Sequence, residues 1–175
     1  AEVIVVPSPE TGRHVREDIG VDSDVEVVPN GVDTDVFRPI DDDFRERFDL
    51  PDGPLVGYTG RHGYEKNLEL LVDAVGAMED PPALVFGGDG PARAGLEAAA
   101  AEQGLDAHFL GFLDRADLPA FYACLDVFAF PSPVETQGLV ALEANACGTP
   151  VAGVEAGALA DTIDDGVNGY TAEVC

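Results

Sequence analysis

The sequence has little positive charge. It contains 9 lysine and arginine residues against 34 aspartate and glutamate residues, which gives a formal net charge of -25, and Lys66 is its only lysine. Nucleic acids and anionic lipids bind proteins through clustered lysine and arginine, and this sequence has no such cluster. The balance argues against a nucleic-acid partner. Dispersed acids with almost no lysine are typical of adaptation to molar salt, where charges are screened beyond roughly 3 Å, and we predict a halophilic source.

Cysteine is scarce as well. Cys124, Cys147 and Cys175 are odd in number and lack C-x-x-C spacing, which argues against a disulfide framework and against a zinc site. The sequence has no signal-peptide pattern and no apolar run near the roughly 18 residues that a membrane-spanning helix needs. We therefore expect a chain without a metal ion or a membrane span, in the reducing cytoplasm.

What the sequence does have is a regular alternation of short apolar runs and helical patterns. Its 175 residues are 46% hydrophobic, enough for one substantial core. From Leu55 onward, strand-like runs such as LVGYTG and ALVFGG alternate with segments of apolar 3,4 spacing such as EKNLELLVDAVGAM. This alternation predicts a parallel sheet with right-handed crossovers and helices on both faces. The predicted fold is α/β, a Rossmann-like doubly wound parallel sheet.

The first part of the chain is less regular. EVIVV predicts a strand, and the segment SPETGRHVREDIG predicts a helix with Ser8 as N-cap, Pro9 just inside and Gly20 as its stop. VEVVPNGVDTDVFRP predicts a strand that breaks at Pro29, followed by a connecting segment.

Ligands of doubly wound sheets bind at the carboxyl ends of the strands, so the loops after the strands are candidate sites. GGDGPAR follows a strand but has Arg93 where a dinucleotide fingerprint needs a third small residue. The sequence also lacks the G-x-x-x-x-G-K-[ST] pattern of a P-loop. These observations argue against a hydride-transfer enzyme and against a P-loop ATPase.

The loop TGRHGYEKN carries Arg61 and Lys66, the latter at the start of a predicted helix. Two cations beside the amides of a helix N-terminus form an anion site. A solvated lysine paired with Glu65 or Glu69 fits the same residues. The loop alone leaves both interpretations open.

A pair of acids, Glu135 and Glu143, flanks Gly138 in the stretch FPSPVETQGLVALEANACGTPVA. Gly138 opens a predicted helix, and Glu143 lies in its second turn. Carboxylates accept hydrogen bonds from vicinal hydroxyls, as acidic residues do with ribose in nucleotide-binding folds. The pair could bind the ribose and the sugar of a nucleotide sugar, with the diphosphate at the helix amides. Two surface acids near a helix start are the alternative that the spacing leaves open.

Five segments follow one another along the chain: PNGVDTDVFRP, GYTGRHGYEKNLELLVDA, LVFGGDGP, FLGFL and FPSPVETQGLVALEANACGTPVA. In this order they closely resemble the nucleotide-binding half of GT-B retaining glycosyltransferases of family 4. The resemblance runs from about Val25 to Ala172, and its most specific part is the E-x7-E pattern of Glu135 and Glu143. It implies the donor-binding half of a GT-B fold. The implied reaction transfers a hexose, with retention, from a nucleoside diphosphate sugar that serves as donor substrate, without a metal ion or other cofactor.

By position, the resemblance implies that Arg61 and Lys66, in the loop that begins at Gly60, neutralise the donor diphosphate. Preorganised cations of this kind stabilise the charge that develops on a leaving group. Glu135 would contact the donor hexose, which completes the expected catalytic set of Arg61, Lys66 and Glu135. No covalent nucleophile is implied.

The resemblance assigns the rest of the nucleotide to other loops. Glu143 would bind the ribose, and the amides of Gly138 and Leu139 would bind the phosphate and the sugar. The base would contact the backbone of Leu110, Gly111 and Phe112.

The resemblance also implies a longer protein. The family has an N-terminal domain that holds the acceptor, a glycan or a lipid, and only its end is recognisable, in residues 1–24. Residues 25–53 are expected to be a linker and lead-in, and residues 54–175 the nucleotide-sugar-binding domain without its C-terminal helices. We expect this chain to bind nucleotide without transferring sugar, and the full-length enzyme to be cytoplasmic or peripheral to a membrane.

Two positions depart from the family pattern. His62 stands where a small or apolar residue is usual, and we predict that it caps its loop rather than reaching a phosphate. Asn145 replaces a usual methionine and is assigned no role. Two other functions stay open, an epimerase or phosphorylase with the same fold and a non-catalytic module that senses nucleotide sugars.

Overall fold

The computed structural model of the chain describes residues 3–134 and 137–173. The strands are β1 (Val3–Val6), β2 (Asp24–Val27), β3 (Leu55–Thr59), β4 (Ala83–Gly87), β5 (Ala107–Gly111), β6 (Val127–Phe130), β7 (Val151–Val154) and β8 (Gly169–Ala172). The helices are α1 (Pro9–Glu17), α2 (Phe44–Arg47), α3 (Leu68–Gly76), α4 (Arg93–Glu102), α5 (Leu118–Ala123), α6 (Leu139–Ala146) and α7 (Ala158–Thr162).

Six strands form one sheet in the order β5-β4-β3-β6-β7-β8, and every neighbouring pair in it is parallel. When the strands are renumbered in chain order with β3 as strand 1, this becomes the order 3-2-1-4-5-6 of dinucleotide-binding sheets. The predicted α/β doubly wound fold is confirmed. The strand order reverses between β3 and β6, which pair at Val56 and Val127, so this is the switch point beside which ligands of such sheets bind.

The core follows the apolar patterns of the sequence. All five residues of β4, ALVFG, are buried, as expected for a strand covered on both faces. Helix α3 buries the predicted face of Leu68, Leu71, Val72 and Val75. Each such side chain contributes about 1.5–3 kcal/mol when it leaves water, so burial of this stripe holds α3 against the sheet.

The start of the chain forms a smaller unit, in which β1 and β2 pair in parallel and α1 connects them. The predicted N-cap is confirmed, because Ser8 Oγ accepts a hydrogen bond of 3.1 Å from the amide of Thr11. The helix ends at Glu17, earlier than predicted, and Gly20 follows in a left-handed conformation. The connecting segment that follows β2 contributes Phe37 and Phe44 to the main core.

One predicted helix begins later than the sequence pattern suggested. The segment EKNLELLVDAVGAM predicts a start at Glu65, whereas residues Tyr64–Lys66 form a 3-10 turn and α3 begins at Leu68. Asn67, which lies between them, has a left-handed φ of 53° that interrupts regular helical geometry. Lys66 therefore belongs to the loop after β3.

Candidate functional site

The loops after β3, β4 and β5 are joined by backbone hydrogen bonds at the carboxyl edge of the sheet. The amide of Gly60 donates to the carbonyl of Gly87 at 3.1 Å, and the amide of His62 donates to the carbonyl of Asp89 at 2.9 Å. The amide of Gly88 donates to the carbonyl of Gly111 at 2.6 Å. These bonds fix the loop that carries Arg61 relative to the sheet.

Glycine is required where these loops meet. Gly88 has a φ of +103°, and a Cβ atom on it would lie 2.0 Å from the carbonyl oxygen of Gly60. A Cβ atom on Gly90 would lie 2.5 Å from the carbonyl oxygen of His62. The GGDG segment, which lacks the dinucleotide fingerprint, therefore supports the loop after β3.

His62 lies beneath that loop and is fully buried. Its Nε2 atom is 3.3 Å from the carbonyl oxygen of Gly87, and its ring packs edge-on against Phe86. Burial lowers the pKa of His62, because desolvation disfavours the charged imidazolium. The imidazole supports the loop from within, which agrees with the loop role predicted for it.

Arg61 is the exposed cation of this loop. Its side chain is 63% exposed and forms an ion pair with Glu65. An exposed pair contributes little free energy, since solvent screens it. Arg61 can therefore exchange Glu65 for an anionic ligand at small cost.

Lys66 extends across the switch point. Its Nζ atom lies 5.8 Å from the centroid of the Phe130 ring, and Phe130 is the last residue of β6. The lysine thus connects the loop after β3 with the end of β6. It is the last residue of a 3-10 turn rather than part of the predicted helix start, so the predicted anion site depends on the two side chains and their loop.

Helix α6 supplies the other side of the switch point. Gly138 precedes it with a left-handed φ of 64°, and Leu139 is its first residue. The carbonyl of Gly138 accepts hydrogen bonds from the amides of Ala141 and Leu142, at 3.1 and 3.2 Å. The first turn therefore begins at the predicted glycine. Glu135, the first acid of the E-x7-E pattern, lies outside the described residues.

Glu143 lies in the second turn of α6, as predicted. It is half-buried. Its Oε2 atom accepts a hydrogen bond of 2.8 Å from the hydroxyl of Tyr122, a residue of α5. Burial raises the pKa of Glu143, while the bond from Tyr122 and the charge of Arg115 oppose that rise. Sequence reasoning missed Tyr122, because an aromatic residue in the apolar segment LPAFYA indicates only a core position.

The residues expected to meet the base lie at the end of β5. Leu110 and Gly111 are its last two residues, and Gly111 has a left-handed φ of 73°. Phe112 follows with 85% of its surface exposed. These positions are two strands from the switch point, at the same edge of the sheet.

A cleft of about 360 Å³ lies between the small unit and this edge. Its walls include Pro9 at the start of α1, Leu142 on α6 and Asp161 on α7. Asn30 crosses it at one point, where its side-chain amide donates to the carbonyl of Gln137 at 3.0 Å. Within residues 3–134 and 137–173, no group of three or more metal-binding side chains forms a potential metal site. None of the helices in those same ranges is long and apolar enough to cross a membrane.

The model of the family described as Glycosyl transferases group 1 matches residues 40–175. The chain belongs to this family. Among curated relatives, it is 40% identical over 149 residues to the 2-deoxystreptamine glucosyltransferase of Streptomyces kanamyceticus, covering 79% of this chain and 38% of that protein. It is 35% identical over 176 residues to the sulfoquinovosyl transferase SQD2 of Arabidopsis thaliana, covering 98% of this chain and 34% of that protein.

Solved structures agree with this membership. Sucrose-phosphate synthase of Thermosynechococcus elongatus superposes with a TM-score of 0.89 at 31% identity, over 99% of this chain and 45% of that one. The Anabaena protein Alr3699/HepE, solved in complex with UDP, gives a TM-score of 0.89 at 26% identity, over 99% of this chain and 50% of that one. The chain thus spans about a third to a half of the length of these relatives.

Proposed function

We propose that this chain is the donor-binding part of a retaining glycosyltransferase that moves a hexose from a nucleoside diphosphate sugar to a glycan or lipid acceptor. The observation that carries the proposal is the arrangement at the switch point. Arg61 and Lys66 lie in the loop after β3, and α6 begins after β6 and carries Glu143. Cations suit a diphosphate and a carboxylate suits vicinal hydroxyls, so the two sides together match a nucleoside diphosphate.

In the proposed mechanism, Arg61 and Lys66 stabilise the negative charge that develops on the leaving diphosphate. Fixed charges in a prearranged loop need little reorganisation during the reaction, which is the basis of electrostatic catalysis. The hydrogen bonds from the loop after β3 to the loop after β4 provide that arrangement. Glu143 holds the ribose, and Glu135 contacts the hexose. Gly138 and Leu139 contribute amides, and the backbone of Leu110, Gly111 and Phe112 faces the base.

Known relatives favour transfer over the two alternatives. The two curated relatives described above are named as transferases, and Alr3699/HepE has also been solved with UDP-glucose. An epimerase or phosphorylase would release a different product, and a sensing module would release none. Product analysis with the full-length protein distinguishes these three functions.

We also propose a reducing, cytoplasmic location, which the free thiols of Cys124 and Cys147 support.

The proposal predicts a division of labour between the two glutamates. Glu143→Ala should weaken the binding of both UDP and UDP-glucose, or of GDP and GDP-mannose, by about 1–3 kcal/mol, the range for hydrogen bonds to charged groups. Glu135→Ala should weaken only the sugar-bearing ligand, because a bare diphosphate has no hexose to contact. Isothermal titration calorimetry of the chain in molar potassium chloride measures both effects.

Glu102→Ala provides the control for these calorimetric measurements, since Glu102 is exposed at the end of α4. It removes one carboxylate without touching the proposed site, and its affinity should equal that of the parent. If the parent binds none of these ligands, or if both glutamate variants bind as the parent does, the proposed function is wrong.

We further propose adaptation to high salt, which predicts a large effect of ionic strength on stability. Carboxylates greatly outnumber cations in this chain. One arginine, Arg47, is shared by three aspartates, Asp42, Asp43 and Asp117. The screening length grows from roughly 3 Å at 1 M to roughly 30 Å at 0.01 M salt, so repulsion among the remaining acids should unfold or expand the chain. Circular dichroism should show a melting temperature that falls steeply between molar and about 0.01 M potassium chloride.

Sucrose at low salt separates charge screening from general stabilisation. It favours the compact state by exclusion from the protein surface and does not screen charge, so it should restore less stability than molar potassium chloride does. An unchanged spectrum and melting temperature across the salt range would contradict the halophilic assignment.

A further inference from the structure

Tyr122 is completely buried, and its side chain has one polar group, the hydroxyl. None of its surface is exposed, and its ring packs edge-on against Phe128 at 5.4 Å and against Phe121 at 5.6 Å, measured between ring centroids. Its backbone carbonyl also accepts a hydrogen bond of 2.6 Å from Thr149 Oγ1. The phenol is therefore fixed from several sides.

The hydroxyl of this fixed ring donates to Glu143 Oε2 at 2.8 Å. A buried hydroxyl without an acceptor costs free energy, so the two residues hold each other in place. Glu143 itself is half-buried, so part of the residue remains accessible to solvent. A rigid residue of α5 thus sets the direction of a carboxylate on α6.

We propose that Tyr122 is a positioning residue that aims the Glu143 carboxylate at the nucleotide ribose. This inference rests on the proposed function, in which Glu143 accepts hydrogen bonds from ribose. An ionised carboxylate accepts hydrogen bonds on both oxygens, whereas a protonated acid has a donor on one oxygen and a reduced acceptor capacity. Orientation and ionisation are therefore both conditions for binding.

The elements around Glu143 contribute charged or titratable groups from four places. Tyr122 faces it from α5, Arg115 acts on it from the loop between β5 and α5, and Cys147 caps the C-terminal end of α6. Strands β6 and β7, which contact α6, consist of VFAF and VAGV and carry no titratable side chain. Helix α7 contributes Asp161, which lines the cleft.

The direction of the pH effect follows from these neighbours. Burial raises the pKa of Glu143, and the hydrogen bond from Tyr122 lowers it. Removing the hydroxyl should raise that pKa further, so that the carboxylate becomes protonated at a higher pH. Ribose binding should then be lost at a higher pH as the solution is acidified.

The test compares Tyr122→Phe, Glu143→Gln and the double variant with the parent. UDP-glucose and GDP-mannose are the probes, because their esterified diphosphates keep a constant charge across the pH range. At pH 7.5, Tyr122→Phe should weaken binding about 5- to 10-fold, an effect of one hydrogen bond. Its affinity should also fall at a higher pH than that of the parent. Glu143→Gln should weaken binding without this pH dependence, and the double variant should bind no more weakly than Glu143→Gln.

The outcomes separate this inference from the proposed function. If Glu143→Gln weakens binding while Tyr122→Phe keeps the affinity and the pH profile of the parent, the positioning role is wrong and the proposed function stands. If Glu143→Gln binds as the parent does, the ribose assignment itself fails. A purely structural tyrosine would lower the melting temperature of Tyr122→Phe without moving the pH profile, which would also overturn the inference.

A second substitution covers the case in which Tyr122→Phe does not fold. 3-Fluorotyrosine at position 122 preserves the ring and makes the phenol a stronger hydrogen-bond donor. It should shift the pH at which binding is lost to a lower value, opposite to the shift expected for phenylalanine. An unshifted profile in this protein would overturn the positioning role.

Discussion

Replacement of Gly88 by alanine is expected to lower the free energy of unfolding by about 3 kcal/mol or more and to disturb the proposed nucleotide site. A residue held at an unfavourable positive φ costs about 1–3 kcal/mol, and Gly88 has a φ of +103°. The new Cβ atom would also lie 2.0 Å from the carbonyl oxygen of Gly60. Because the backbone of residue 88 fixes the Cβ position and the oxygen is itself a backbone atom, no side-chain rotation relieves the clash and the loop after β3 must move. Urea unfolding followed by circular dichroism in molar potassium chloride measures the loss.

Gly53→Ala is the matched control for this measurement. It makes the same chemical change in a turn where no atom lies within 4 Å of the added Cβ and φ is not positive. Its free energy of unfolding should stay near that of the parent. Equal stabilities for Gly88→Ala and Gly53→Ala would show that the loops after β3 and β4 do not approach as closely as described.

Removal of Arg61 and Lys66 should produce the largest loss of ligand binding. Each single substitution by alanine is expected to weaken the binding of UDP or GDP by about 1–3 kcal/mol, the range for charge-assisted hydrogen bonds. The double variant should lose more than either single variant. The fold should remain intact, since both side chains lie in a loop at the sheet edge. Calorimetry at fixed molar salt, with circular dichroism to check folding, measures these effects.

Arg47→Ala controls for the loss of one positive charge. Arg47 lies on α2, outside the loops of the switch point, and its partners are Asp42, Asp43 and Asp117. Its removal changes the net charge as much as either test substitution does and should leave the affinity unchanged. If Arg61→Ala and Lys66→Ala bind as tightly as Arg47→Ala does, the diphosphate assignment fails.

The sequence by itself determined the features that depend on local pattern. The apolar spacing of Leu68, Leu71, Val72 and Val75 predicted the buried face of α3, because helical periodicity is visible within a few turns. Ser8 before Pro9 predicted the cap of α1, since a cap needs only neighbouring residues. Strands alternating with helices likewise predicted the doubly wound sheet and its carboxyl edge. The single lysine, Lys66, indicated the loop after β3 as a candidate anion site.

Only the tertiary structure decided the relations between distant segments. The 3-10 turn that contains Lys66 ends at Asn67, whose backbone is in the left-handed conformation. The lysine lies beside Phe130, across the switch point. The tertiary structure also brought Tyr122 against Glu143 and Gly88 against Gly60. These contacts join residues on different elements, and their geometry follows from strand order and packing. Periodicity along the chain reports which face of an element is buried, but it carries no information on which distant side chain lies against that face.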